Sequence, residues 1–413
     1  MLADWPRQTG TAWAIALALS CGRAEARALS FAEARAAAAR LAPDVQLAER
    51  RVALARSEVS VVGAAANPTL SATSATHSAH LAGSLSVPIR LFGQRSTALH
   101  AAQAAVQVTE LDVNVVRREA RWAASLAFVD LWEAEQRARW LERAAQDMQR
   151  LSEIAAEKFA AGSGARLDVL RTQADRARSA AEAAAARQIA SAAAARLAPL
   201  IGSADDQPLT AADAPGYAID TPLLAGLPAR LGDHPLVRRD RAEMGASEAR
   251  IEAEQRQRWP ILSPLIGLST LDPTLPGTDV IFGLSLELPL LNQRQGEIAR
   301  ARAERALAQT AAQSGERRLR GELRDAFLRS EAAGTELRAL HEQVLPAIQE
   351  AKTMTDEGYR DGYVDLLRVL DAQRALLDSQ IAETSALAAW VRALADLEKA
   401  GGVDLPESGN RAL

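Results

Sequence analysis

The apolar positions of this chain keep one of two periods, and the period changes at matching places in its two halves. Leu81, Gly83, Leu85, Val87 and Ile89 alternate with Ala82, Ser84 and Ser86, and Phe282, Leu284, Leu286 and Leu288 alternate with Gly283, Ser285 and Glu287. Period two, with one oily face and one small or polar face, predicts strands, here over residues 81 to 91 and 279 to 290. Each follows a less regular partner, residues 68 to 76 after Asn67-Pro68 and residues 260 to 271 after Trp259-Pro260, so each pair reads as a hairpin. Proline suits a strand's first residue, whereas Pro264 falls where a ladder donor is wanted. Trp259, at a strand entrance, fits the aromatic girdle of a barrel interface.

After each hairpin the period lengthens and holds. Residues 95 to 157 contain no Pro or Gly, and Leu141, Ala144, Met148, Leu151 and Ala155 recur at coiled-coil spacing. At helical rise such a segment is about 95 Å long, a rod that no compact globular domain needs. Residues 297 to 357 repeat the rod, with Gly321 and Gly334 inside it, each tolerable at a cost of ~1 kcal/mol. Trp122, Trp132 and Trp140 lie on the first rod and read as packing residues.

Both rods end in related text, "FAAGSGARLDVLRTQ" from 159 and "YRDGYVDLLRVLDAQ" from 359. These share an aromatic first residue, Gly162 over Gly362, Leu167 over Leu367, Val169 over Val369, Leu170 over Leu370 and Gln173 over Gln373. The glycines permit the positive φ of a tight helix reversal, and return helices follow.

One unit, helix, β-hairpin, long helix, tight turn, return helix, thus occurs twice, over residues 29 to 201 and 233 to 402. The helical hairpins run from 93 to 200 with a tip at 159 to 166, and from 295 to 400 with a tip at 358 to 366. A Pro/Gly/Asp-rich connector, 202 to 232, joins the copies, and 403 to 413 reads as a disordered tail. The fold class is therefore mainly α with a small β part. Past residue 28 no apolar run approaches the roughly 20 residues of a transmembrane helix, so any membrane contact falls to the strands. Four strands cannot close a barrel, whose smallest examples have about eight, and an open apolar edge is not viable in lipid. The chain must then oligomerise symmetrically.

Residues 1 to 28 read as an export signal: Arg7, the short apolar run "TAWAIALALSC", then A-x-A cleavage options ending at Ala26 or Ala28. Cys21, the only cysteine, is either a lipid acceptor or part of the discarded peptide; Ala18 and Leu19 fit a lipobox poorly and favour the second. Charge is nearly balanced, 48 basic against 52 acidic residues, with no basic cluster to mark a nucleic-acid partner. No nucleophile elbow, phosphate loop or paired-carboxylate pocket is present, so neither enzyme nor cofactor is expected. His77 and His80 in "THSAH" are the only metal-ligand candidates, and two histidines without a third ligand make a weak site.

The segments "SVPIRLFGQRSTALHAAQA" (86 to 104) and "ELPLLNQRQGEIARARAERA" (287 to 306), with the two turn motifs, resemble the TolC-type outer membrane efflux proteins. "RLFGQR" and "LLNQRQGEIARA" are most similar to the CzcC-type branch, which serves cobalt-zinc-cadmium export pumps. The resemblance covers roughly residues 29 to 402. It implies a homotrimer: a twelve-stranded β-barrel in the outer membrane of a Gram-negative bacterium, continued by an α-helical tunnel through the periplasm. The tunnel would dock on a periplasmic adaptor (membrane fusion protein) and an inner-membrane proton-driven cation transporter.

The resemblance also implies roles for the tips. Phe159, Gly162 and Ser163, with Tyr359, Gly362 and Tyr363, would contact the adaptor. Asp168, replaced in the second copy by Arg368, would line the periplasmic aperture with Asp371, and Asp365 and Asp361 are further acidic candidates there. A ring of Asp would favour cations, and an Asp168 to Arg368 contact could act as a latch. The expected function is a passive duct for heavy-metal cations. A drug or small-organic duct of the same fold is the alternative. The reading from a different class is a periplasmic coiled-coil adaptor or tether without a pore.

Overall fold

The computed structural model describes residues 27–74, 81–203, 208–218, 221–272 and 275–407. The signal segment up to Ala26, with Cys21, and the pair His77 and His80 lie outside the described residues. Strand β1 (Arg27–Leu29) leads into α1 (Phe31–Leu41), whose Ser30 and Glu33 form a reciprocal capping box. The first copy is α2 (Pro43–Gly63), β2 (Thr69–Thr73), β3 (Leu81–Ser86), α3 (Gln94–Ala160) and α4 (Arg166–Leu197). Strand β4 (Leu209–Ala211) and α5 (Thr221–Arg230) form the connector. The second copy is α6 (Pro235–Gln257), β5 (Ile261–Asp272), β6 (Leu275–Glu287), α7 (Gln295–Ala339), α8 (Leu345–Arg360) and α9 (Leu366–Gly401). Pro43 and Pro235 open α2 and α6 at the helix position where a missing N–H costs nothing.

Helix α3 is one uninterrupted rod of 67 residues, as its Pro-free sequence predicts. The second rod is not. The periodicity reading passes over Pro346, which has no N–H for the carbonyl four residues back and whose ring would collide with it. A single π turn, Leu340–Val344, accommodates the proline and separates α7 from α8. Alanine-rich faces let the hairpin helices approach closely, with Ala138 and Leu141 of α3 buried against Ala183 and Ala186 of α4.

The main core lies midway along the molecule, where the two copies meet. Phe31, Phe128, Leu131, Leu197, Tyr217, Leu394 and Leu397 are all buried in it, and Phe31 packs edge-on to Tyr217 at 5.4 Å. The connector is structured there: β4 pairs in parallel with β1, and Leu209 and Leu227 are buried. Residues 403 to 407, which composition placed in the disordered tail, pack against the same core. Leu405 is buried, Tyr217 bridges to Glu407, and Ala218 N–H donates to Pro406 O at 2.8 Å. The cause is Arg35, whose side chain is 1 % exposed and needs carboxylates. Glu398 lies 2.5 Å from its guanidinium and Glu407 3.0 Å. Arg121 and Arg118 hold Asp404 at 2.8 and 3.2 Å.

His234 staples the second copy together. Its Nδ1 accepts from Leu236 N–H at 3.1 Å as the N-cap of α6, which leaves Nε2–H to donate to Lys399 O at 3.0 Å near the end of α9. Burial, the largest influence, holds the imidazole below its ordinary value. Protonation would remove the Nδ1 lone pair that makes the cap. A depressed histidine favours the neutral folded form, so its contribution is complete above about pH 6.5, the unfolded value, and is lost as pH falls through the folded value. We expect the wild-type chain to lose stability on acidification through this window more steeply than His234→Asn, whose amide can cap at any pH. Parallel acid limbs in the two stability-against-pH curves would contradict this.

Candidate functional site

The four long strands form one antiparallel sheet in the order β2-β3-β5-β6. Register places Leu70 opposite Leu85, Leu85 opposite Ile266, and Ile266 opposite Phe282, so one face carries an oily belt across all four strands. Leu268, Val280, Leu284 and Leu286 extend the belt, and its side chains are exposed, Phe282 by 78 % and Leu70 by 77 %. The opposite face carries Ser71, Ser84, Ser263, Ser269 and Ser285, with Ser71 and Ser84 hydroxyls 2.7 Å apart. Oily residues alternating outward against a polar inner face are the arrangement of a strand set in lipid around water.

The strand ends differ from expectation where proline intervenes. Strand β3 stops at Ser86 rather than residue 91 because Pro88 has no donor for the β2 side and Pro264 has none for Val87 on the β5 side, and Ile89 rejoins the sheet by a bridge to Leu262. Strand β6 starts at Leu275, earlier than predicted, and ends at Glu287. Pro264 fits within β5 because its carbonyl accepts from Val87 N–H at 3.1 Å. In an antiparallel strand a residue's N–H and C=O face the same neighbour, so its missing donor faces the end of β3 and leaves the β5–β6 ladder intact. Trp259 stacks on Phe92 at 5.3 Å just beyond the sheet's helical end, placing two aromatics at one level.

At the far ends of the rods the two tips have the same backbone. Gly162 and Gly362 sit at φ 76 and 82. Gly162 N–H donates to Phe159 O (3.0 Å) and Ser163 N–H to Lys158 O (3.0 Å), matched by Gly362 to Tyr359 O (3.3 Å) and Tyr363 to Gly358 O (2.8 Å). This is the helix-ending pair of bonds in which a left-handed glycine satisfies the last carbonyls. The copies then differ by a compensating exchange. A Cβ on Gly164 would lie 2.9 Å from Phe159 N and 3.1 Å from Lys158 Cβ, and one on Gly358 would lie 2.6 Å from Val364 Cγ2. The first copy thus pairs Lys158 with Gly164, and the second pairs Gly358 with Val364.

The tips touch each other. Lys158 Nζ stands 3.9 Å from the centre of the Tyr359 ring. Met148 and Leu151 of α3 pack with Leu366, Val369 and Leu370 of α9, so the second tip leans on the first rod. Asp168, half-exposed in the first turn of α4, is close enough that its charge, after burial, pushes the Tyr359 phenol up. Asp365 caps α9 by accepting from Arg368 N–H at 3.1 Å, a structural task that its sequence position alone had not suggested. Arg368, Asp371 and Asp361 are exposed. Among the described residues Asp168 and Arg368 make no ion pair within the chain; Asp175 and Arg374, 3.6 Å apart, do. Phe159 and Tyr363 are exposed, Tyr363 by 89 %.

Among the described residues no three or more His, Cys, Asp or Glu side chains are placed to hold a metal ion, and no helix is long and apolar enough to cross a membrane. A lipid-type sheet fused to two long helical hairpins defines a channel-forming membrane protein, one that moves solutes without transforming them. The chain belongs to the outer membrane efflux protein family, whose sequence model matches residues 30–203 and 228–403 and so divides at the duplication. It is 25 % identical to the cobalt-zinc-cadmium resistance protein CzcC of Cupriavidus metallidurans over 297 residues, 72 % of this chain and 71 % of that one. It is 24 % identical to nodulation protein T of Rhizobium leguminosarum bv. trifolii over 387 residues, 87 % and 82 % of the two chains. The fold matches the Campylobacter jejuni CmeC outer membrane channel with a TM-score of 0.72 at 15 % identity, covering 92 % of this chain and 86 % of that one. This chain is thus an outer membrane efflux channel of TolC-like fold, and its family works in transport, not catalysis.

Proposed function

We propose that three copies of the chain pool their sheets into a twelve-stranded barrel and their hairpins into a periplasmic tunnel, forming the outer duct of a tripartite pump for heavy-metal cations. The sheet carries this reading: its apolar face needs lipid, while its two outer strands, each paired on one side only among the described residues, need partners that further copies would supply. The likeness to CzcC supports the cation substrate. Phe159, Gly162, Ser163, Tyr359, Gly362 and Tyr363 form the surface offered to a periplasmic adaptor, which links the duct to a proton-driven transporter in the inner membrane. Asp168 and Asp371, with Arg368 and Asp365 beside them, line the aperture, where carboxylates concentrate cations. The likeness to nodulation protein T extends over more of the chain, and that name specifies no metal, so the second reading is that the same duct serves small organic molecules.

Removing the gene from its host decides between them. The expected result is increased cellular zinc, cobalt or cadmium and lower tolerance to those ions, restored by the wild-type chain and only weakly by Asp168→Ala with Asp371→Ala. Unchanged metal tolerance alongside a new sensitivity to organic compounds would replace the first reading with the second.

A further inference from the structure

The duplication gives the chain an internal joint between its two hairpins, where β3 pairs with β5. In the first hairpin Thr69 is paired with Ser86, and in the second Ile261 is paired with Glu287 at the corresponding place. Strand β5 therefore repeats β2, and β6 repeats β3, residue for residue. The helices that follow confirm the alignment. Gly93 before α3 and Arg294 before α7 both lie in the left-handed region, at φ 81 and 57. The first residue of each helix is a glutamine whose Oε1 accepts a backbone N–H two residues back: Gln94 from Phe92 at 2.9 Å, Gln295 from Gln293 at 2.8 Å.

What differs is the other end of each carboxamide. Gln94 is 1 % exposed, and its Nε2 donates to Trp259 O at 3.3 Å and Pro260 O at 3.2 Å, tying the end of the first hairpin to the entrance of the second. Gln295 is exposed, and among the described residues its Nε2 has no hydrogen-bond partner. The equivalents of Trp259 and Pro260 are Asn67 and Pro68, at the entrance of the first hairpin, and β2 and β6 each pair on one side only among the described residues. Beyond β6, Leu290 N–H turns back to Leu288 O at 2.9 Å, whereas its equivalent Ile89 exchanges both backbone bonds with Leu262, at 2.7 and 3.2 Å.

We infer that β6 of one copy pairs with β2 of the next in the register that β3 and β5 already use within the chain, and that Gln295 locks this joint by donating to the carbonyls of Asn67 and Pro68 of the neighbouring copy. The internal pair Ser86 with Leu265 becomes Glu287 opposite Thr73 of the neighbour. The bridge between Ile89 and Leu262 becomes Leu290 opposite Leu70 of the neighbour. Both leucines face the oily side, so the belt continues without a break across the joint. A slip of one residue would turn a whole strand inside out. Slips of two preserve the faces, and the glutamine is what excludes them. This joint rests on the duct reading above, and specifies which atoms close the ring.

The test uses the full chain in outer membranes with its only cysteine replaced, Cys21→Ser. Directly opposed antiparallel residues have Cα atoms about 4.5–5.5 Å apart, within disulfide range. Thr73→Cys with Glu287→Cys should therefore oxidise to covalent multimers that reductant dissolves. Ser71→Cys with Glu287→Cys, two residues out of register on the same face, should not. Gln295→Ala should lower the temperature at which the extracted ring separates into single chains, while the exposed Arg300→Ala on the same helix leaves it unchanged. Cross-linking of the displaced pair, or of neither pair in a chain that still extracts as a ring, overturns the register and leaves the duct standing. Equal effects of the Gln295 and Arg300 variants overturn the lock, and that comparison decides if the cysteine chains fail to accumulate. A chain recovered only as single copies removes both the joint and the duct.

Discussion

Arg35→Ala is expected to lower the unfolding free energy by about 3–5 kcal/mol, the usual consequence of removing one partner from a buried ion pair. The wild-type guanidinium stands between Glu398 and Glu407 and lies 5.3 and 4.9 Å from the centres of the Phe31 and Tyr217 rings. Its contact with Glu407, at 3.0 Å, is an ion pair without an aligned hydrogen bond, so Glu398 is the stronger partner. Burial raises the Glu398 carboxyl, and Arg35 is the largest influence opposing that rise. Without Arg35 the carboxyl would rise further. A raised folded value favours the protonated form, so the variant should regain stability as pH falls and lose it as pH rises through that value. Chemical unfolding at fixed protein concentration would measure the effect. A loss under about 1 kcal/mol, typical of an exposed pair, would show that this cluster does not hold α1, α9 and the C-terminal segment together.

Phe282→Arg should prevent the chain from accumulating as an assembled outer membrane protein, whereas Ser285→Arg should be tolerated. The two positions are three residues apart on β6, and the strand's alternation puts them on opposite faces. A charged side chain on the lipid face near the middle of the bilayer costs about 2–4 kcal/mol, and one on the water side costs little. In an assembly of several copies that cost recurs in each. Membrane fractionation compares the two variants at matched expression. Equal recovery would mean that the exposed belt of Leu70, Leu85, Ile266 and Phe282 does not face lipid.

Local periodicity carried much of the architecture. The alternation in β3 and β6, the rods of α3 and α7, and the left-handed Gly162 and Gly362 are short-range consequences of side-chain direction and backbone sterics, so nearby residues suffice to read them. Because the unit is written twice, each copy corroborated the other. The same reading missed Pro346 and its π turn, although the signal was a single visible residue. It also treated 403 to 407 as free because polar and glycine-rich text resembles a tail until a buried arginine is found to require it.

The candidate tip residues were legible as a motif, but their neighbours were not. Lys158 stacking on Tyr359 and the charge of Asp168 beside that phenol follow from how two hairpins lean together, whereas Asp365 is spent locally, on the cap of its own helix.

By itself the sequence determined which residues form strands, rods and reversals, that the unit is duplicated, and that four strands must seek further copies. Only the tertiary structure decided that the two hairpins merge into one sheet through β3 and β5, and that, among the described residues, the Gln94 Nε2 finds acceptors where the Gln295 Nε2 finds none. It likewise decided that Arg35 finds Glu398, a partner 363 residues away. The division is physical. Periodicity depends on bond geometry repeated along a few residues, whereas pairing across hundreds of residues is selected by burial, register and charge compensation in the folded whole.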